Sequence, residues 1–392
     1  MTEHFDVVIA GGGVMGCAVA SFLTADPGFD GRVLVVERDP SYEFCSTTRS
    51  WGGVRQQFST PENIRMAQFN AGFFKRAEET LAVDGEVPAL GFREQGYLFL
   101  VDDDHADALR AVHATQIGLG AAVELLDPDA LATRYPWLNT DGVAIGNLGT
   151  ADEGWLDPHA VLHAFRRKAR VQGAHFRHDE VAALSRSGDR IDGVSLASGG
   201  RIAAGTVVNC AGWRAGALAA SAGIELPVGP RKRMTYVFDC REDLSAMPLT
   251  IDPTGAVARP ESGQYLGLIS PPEDDDPEIE DFSDDYAPFE EVIWPTLAHR
   301  IPAFEAIKLN RAWAGLYDYN GFDQNAILGR HPELDGILFC NGFSGHGIQQ
   351  SPAAGRAIAE LIVHGGYQTL DLSAFDYARI PANRPLKEAA VV

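Results

Sequence analysis

Gly11-Gly12-Gly13-Val14-Met15-Gly16 sets three glycines in the GxGxxG spacing, and an acid, Glu37, follows the last of them by about 20 positions. Those residue types at that spacing suit a dinucleotide. Gly11 permits a tight turn. Gly13 lets a pyrophosphate approach the backbone, where Val14 and Met15 open a helix and supply unpaired N–H groups. Gly16 lets that helix close on its strand. Glu37, with Arg38 beside it, can accept hydrogen bonds from a ribose diol, and its charge repels a 2′-phosphate. The fingerprint therefore favours FAD or NAD over NADP.

Three further segments favour FAD. Ser46, Thr47, Thr48, Arg49 and Ser50 offer hydroxyls and a cation to phosphate or ribitol, and Gly52 and Gly53 let backbone lie against a flat ring. Cys210, Ala211, Gly212 and Trp213 end a strand where open α/β sheets bind ligands, and Val181 joins this group. Gly342, Phe343, Ser344, Gly345, His346, Gly347 and Ile348 lead into the last helix, whose N–H groups can stabilise charge on the N1/C2 edge of a reduced flavin. Each segment also has a plain structural reading, His346 as a packed loop histidine among them.

The elements that must position these residues follow from periodicity. Residues 5–10 and 32–37 read as buried strands around a small-residue helix from Gly13 to Leu23, a βαβ unit. Helices are expected over 62–83, 158–172 and 347–363, and a strand over 92–101. Short strands are expected near 180–185, 191–196, 206–210 and 337–340, and antiparallel sheet over 231–269 and 308–319. The fold class is α/β with an α+β substrate domain: a Rossmann-type nucleotide domain (1–88, 150–228, 325–392) interleaved with a mixed, largely antiparallel domain (89–149, 229–324).

The 392 residues carry a net charge of −22, which argues against nucleic acid and anionic lipid. No apolar run reaches the ~18 residues of a membrane span. The acidic start resembles neither a signal nor a transit peptide. Five scattered cysteines read as free thiols in a reducing cytoplasm, and no metal spacing occurs. Nine acids among positions 273–285 read as a solvated loop.

Taken together the chain resembles the D-amino-acid oxidase/sarcosine oxidase superfamily of FAD-dependent amine oxidoreductases. The residues that carry this are Ser50 to Ser59, Asp152 to Pro158, Pro230-Arg231-Lys232-Arg233, Ala312 to Asn320 and Gly342 to Gln350. Within the superfamily it is similar to a mitochondrial branch associated with complex I assembly, as a bacterial-type relative. The resemblance implies oxidation of the C–N bond of an amine or N-alkyl amino acid, with hydride passing to flavin N5 and the imine then hydrolysing. O2 or a protein or quinone acceptor would take the electrons. It also implies that Arg55 holds a substrate carboxylate, with Arg49 as the rival cation and a structural ion pair as the plain alternative for Arg55. Arg259, Tyr317, Tyr319 and His346 would complete the pocket.

The departures are specific. Gly315 stands where monomeric sarcosine oxidases attach flavin through Cys, and no His lies near Ser50-Trp51, so FAD is expected to be non-covalent. Tyr265 or a neighbour replaces an oxygen-activating Lys, and Gln349 replaces a carboxylate-binding Lys. The other expectations to weigh are a flavin-binding assembly protein with vestigial catalysis and an NAD-dependent dehydrogenase.

Overall fold

Val7, Val8, Ile9 and Ala10 are all buried, as a strand covered on both faces requires. In the computed structural model, which describes residues 3–389, this strand, Glu3–Ala10, is central to an eight-stranded sheet. It runs parallel to Val33–Glu37 and to Arg201–Asn209; His175–His178 and Ile337–Asn341 extend the parallel set on either side. Val181–Ser187, Arg190–Leu196 and Ile327–Arg330 add antiparallel strands.

Helices cover both faces. On one, Val14–Ala25, Pro158–Val171 and Gly347–His364 share a core. Asp157 caps the second of these, accepting from His159 N at 2.8 Å and Ala160 N at 3.2 Å, with Pro158 at the first helical position. Val14–Ala25 and Gly347–His364 meet at small residues: a Cβ on Gly355 would lie 2.6 Å from Ala18 Cβ and 2.8 Å from its backbone carbon. A Cβ on Gly16 would collide with the carbonyl of Gly11.

The second eight-stranded sheet is built on Val228–Cys240 paired along its length with Ile307–Asn320. Its pairings are antiparallel except that of Leu249–Ile251 with Tyr97–Val101. We take the two sheets as the cores of the two interleaved domains proposed from the sequence. Among the described residues no helix is long and apolar enough to cross a membrane, and no group of three His, Cys, Asp or Glu is placed to hold a metal.

The structure departs from the sequence reading at three places. The helix expected over 62–83 ends at Lys75, with one further turn at Ala77–Thr80. There Arg76 Nε donates to Gly72 O, and Thr80 Oγ1 to Phe73 O and Arg76 O, so side chains take carbonyls the helix would use. The strand expected over 92–101 begins only at Tyr97, because Arg93 exchanges backbone hydrogen bonds with Trp155 instead.

The third is the acidic segment, which is a mostly exposed loop as expected but is pinned down as a strap. Ile279 N donates to Pro230 O at 3.2 Å. Asp276, Glu278 and Asp281 pair with Arg233, Arg231 and Lys232, and Glu280 with Arg214. The side chain of Glu273 lies outside the described set. At the far end of the chain, the Glu388 carboxylate accepts from Ser59 N, Thr60 N, both their hydroxyls and Asn63 Nδ2, capping the helix Pro61–Lys75 from a distance in sequence.

Gly355→Ala should destabilise the fold by about 1–3 kcal/mol despite alanine's better helix propensity, because the added methyl overpacks the helix crossing. Denaturant midpoints measure this; a variant as stable as wild type would show that the helices separate without cost.

Candidate functional site

A cavity of about 600 Å³ runs between the two sheets, within the range of small-molecule and cofactor sites. Gly11, Gly13, Val14, Met15, Glu37, Arg38, Val181, Cys210, Ala211, Gly212 and Trp213 line it. Gly11 has φ +100°, and a Cβ there would collide with the carbonyl of Cys210, so only glycine lets the turn close against the neighbouring strand end. Glu37 is held in place: Oε2 accepts from Gly12 N at 2.7 Å and Oε1 from Asp39 N at 2.8 Å. An ionised carboxylate offers about four acceptor sites, so capacity remains for a diol. Burial raises its carboxyl above the ordinary value, against the pull of those two N–H groups.

The hydroxyl-rich loop is fixed by its own contacts, with Ser46, Thr47, Arg49 and Ser50 on the cavity wall. Thr47 Oγ1 accepts from Val14 N at 3.2 Å, and Ser46 Oγ donates to Leu316 O at 2.6 Å. Ser50 Oγ accepts from Gly52 N. Arg49 donates to Glu43 O and Ala314 O, so the rival cation ties the loop to the second sheet. Thr48 is off the cavity wall, its hydroxyl donating to Tyr42 O and Cys45 O. Gly52 is also off the wall, packed against Leu156 O. Gly53 lines the cavity near the Tyr97 hydroxyl, and Gly315 lines it opposite Arg49 Cβ. Cys45 lines it too, with a thiol pushed up to about 11 by burial.

Phe343, Gly345, His346, Gly347 and Ile348 line the cavity at the start of the last helix. Gly345 has φ +96°, and a Cβ there would stand 2.5 Å from the Tyr317 ring. Gly342 and Ser344 support this turn from behind rather than facing the cavity; Ser344 Oγ accepts from Asn320 N at 3.0 Å.

Arg55 is 4% exposed and lines the same cavity. Its Nη1 donates to Gln57 O and its Nη2 lies 3.0 Å from His346 Nε2, while the guanidinium carbon stands 4.3 Å from the Phe58 ring centre and 5.1 Å from that of Phe99. A guanidinium only donates, so His346 Nε2 accepts and the imidazole is neutral. Burial and the Arg55 charge agree, lowering it to about 3. Gln349 Oε1 accepts from Arg55 N at 2.8 Å, which fixes the backbone at Arg55. Tyr317 lines the cavity, its hydroxyl pushed up by burial.

Three expected residues lie elsewhere. Arg259 is off the cavity wall: it pairs with Glu261 and donates to Trp51 O at 2.9 Å, and so positions that tryptophan. Tyr319 is beyond the end of the cavity, under the Arg231 guanidinium at 5.2 Å. Tyr265 sits in the core of the second domain, its hydroxyl accepting from Leu244 N at 2.7 Å.

Several wall residues had no reading from sequence. Arg233 and Thr235 line the cavity on one face of a strand; alternation in the Pro230-Arg231-Lys232-Arg233 segment was the available signal. Asp318 lines it too, its carboxyl pushed up to about 6 by burial although Phe343 N donates to it at 3.1 Å. Leu249, Ile251, Val257 and Leu268 make an apolar wall with Trp51 and Tyr97. Behind the wall, Glu153 accepts from Gln56 N, Gln57 N and Gln57 Nε2, yet burial pushes it up to about 7.

Residues 6–361 match the family described as "DAO: FAD dependent oxidoreductase". This chain belongs to the DAO family of FAD-dependent oxidoreductases. It is similar to "FAD-dependent oxidoreductase domain-containing protein 1" of Xenopus laevis, 42% identical over 425 residues that cover 100% of this chain and 85% of the frog protein. Glycine oxidase of Bacillus licheniformis is 26% identical, over 97% of this chain and 98% of that one. The solved L-proline dehydrogenase from P. horikoshii superposes with a TM-score of 0.86 and 27% identity, covering 98% of this chain and 100% of that one. The residues present fit the family's FAD: a glycine cradle, a fixed acid with acceptor capacity and an open helix start all meet one cavity.

Glu153 and Asp318 hold their protons more tightly in the fold than when unfolded. Their contribution to stability is therefore full below the ordinary carboxylate range and is lost as pH rises through about 6 for Asp318 and about 7 for Glu153. The melting temperature of wild type should fall between pH 5 and pH 8 with a steeper slope than that of Glu153→Gln. Parallel slopes would remove Glu153 as the titrating group.

Proposed function

We propose that this member of the DAO family oxidises the C–N bond of a carboxylate-bearing amine or N-alkyl amino acid. The observation that carries this is a buried arginine, Arg55, held on the wall of the FAD-type cavity beside Tyr317 and His346. A planar guanidinium matches a carboxylate bidentately, which a lysine does not. When bound, FAD supplies a two-electron acceptor for hydride from the substrate carbon, and the imine released then hydrolyses.

The protein's own residues bind and orient. His346 stays neutral and accepts from Arg55, so it directs the guanidinium and does not deliver a proton at neutral pH. Gln349 fixes the Arg55 backbone and adds no second cation. Leu249, Ile251, Val257 and Leu268 keep water from the reacting carbon. Glu37 takes the adenosine ribose, and the N–H groups at the start of the last helix stabilise charge on the flavin edge. Non-covalent attachment is supported by the glycine at position 315 and by Cys45, a half-buried thiol whose titration is pushed up to about 11.

Glu37→Ala should weaken FAD by roughly tenfold or more, since a charge-assisted hydrogen bond contributes ~1.5–3 kcal/mol; unchanged affinity by flavin fluorescence would take Glu37 out of the site. Acid precipitation of wild type should leave all flavin in the supernatant.

The function itself is tested by an anaerobic panel of amines and amino acids, read as bleaching of the bound flavin, then repeated with O2 and with a dye acceptor. A panel in which nothing bleaches overturns the reading. Arg55→Lys should keep its flavin yet lose ~2–5 kcal/mol in kcat/KM for carboxylate-bearing amines. If it oxidises them as well as wild type, Arg55 is not the anchor.

A further inference from the structure

Two buried guanidiniums act on Tyr317. Arg55 is one; the other is Arg233, 8% exposed, whose guanidinium carbon stands 5.1 Å from the Tyr317 ring centre. The positive charge of each reaches the Tyr317 hydroxyl. Both arginines line the cavity, so the site has the makings of two carboxylate anchors.

Arg233 is already matched. Asp276 accepts from its Nη1 at 2.8 Å and from its Nη2 at 2.7 Å, the fork geometry a substrate carboxylate would use. Asp276 is 7% exposed, so this is no solvent-screened surface pair. It is also not a stray contact. The strap that carries it is tied beside the pair by the Ile279–Pro230 backbone hydrogen bond and the Lys232–Asp281 ion pair at 2.5 Å. The Nε of Arg233 is buried without a hydrogen-bond partner among the described residues, a donor that Asp276 does not reach.

We propose that Asp276 sets the charge class of the substrate: by occupying Arg233 it confines the site to amines with one carboxylate, and its removal admits amines with two. This rests on the amine-oxidising reading above and adds to it a residue that chooses among substrates without touching them.

The test is a titration of the FAD-loaded protein with acetate and with malonate, carboxylates that cannot be oxidised here, read as a change in the visible spectrum of the bound flavin. In Asp276→Asn the ratio of malonate to acetate affinity should rise by about tenfold or more, as expected when a buried cation loses its partner. Adding Arg233→Gln should return the ratio to the wild-type value, and Asp276→Glu should leave it there. Asp276→Ser serves where the asparagine variant does not load flavin. In turnover, kcat/KM for N-carboxymethyl amino acids should rise relative to N-methyl ones.

If both anions tighten together, the strap is a steric lid and the proposal fails; if neither changes, it fails as well. The titration needs no turnover, so its failure is distinguishable from that of the functional reading, which falls when the wild type bleaches with no amine.

Discussion

A positive charge with almost no access to water must be held by its surroundings, and Arg55 is such a charge. Its partners come from three parts of the chain. Gln57 and Phe58 belong to the loop after the nucleotide fingerprint, Phe99 to the second sheet, and His346 and Gln349 to the last helix. Desolvation disfavours the cation, and a neutral acceptor, a carbonyl and two aromatic faces are among the groups that offset it. The arrangement couples stability to the site: contacts with the second sheet and with the last helix also fix the guanidinium on the cavity wall.

Glu153 extends this one step outward. It holds the backbone of Gln56 and Gln57, whose carbonyl at Gln57 then meets Arg55. Its buried carboxyl sits far above the ordinary carboxylate range, so near neutrality it moves between charged and uncharged forms. The site thus has acids beside its arginines in two modes. Asp276 is hydrogen-bonded directly to Arg233, whereas Glu153 holds the backbone beside Arg55 and acts on its charge across space.

What the sequence discloses is what is local. Gly11, Gly13 and Glu37 are readable because strand, turn and helix follow one another within about forty residues and each glycine has a steric reason. The last helix and its glycine-rich entry are readable for the same reason. Residue type alone does not tell how a group with several uses is employed: Thr48 and Ser46 both have hydroxyls that suit a phosphate, and they donate to carbonyls of Tyr42 and Leu316, Ser46 on the cavity wall and Thr48 off it. Strand alternation tells which face a residue takes but not how far along the strand a cavity reaches, so Tyr317 is in the site and Tyr319 is past it. Pairings such as Arg233 with Asp276, or Glu153 with Gln57, join positions 43 and 96 residues apart and leave no mark on either neighbourhood.

The order of strands in the first sheet has a consequence for synthesis. Glu3–Ala10 precedes the other described strands, yet one of its flanking partners is Arg201–Asn209, which in turn pairs with Ile337–Asn341, and the helix that begins at Pro61 receives its capping carboxylate from Glu388. A chain emerging from the ribosome therefore holds this strand with only Val33–Glu37 beside it until Arg201–Asn209 has been made. Long-range pairings of this kind fold slowly and leave strand edges open to other chains. The nucleotide cavity draws walls from Gly11 to Gln349, so a nascent fragment that stops short of the last helix lacks part of the cofactor site, and its completion falls late in synthesis.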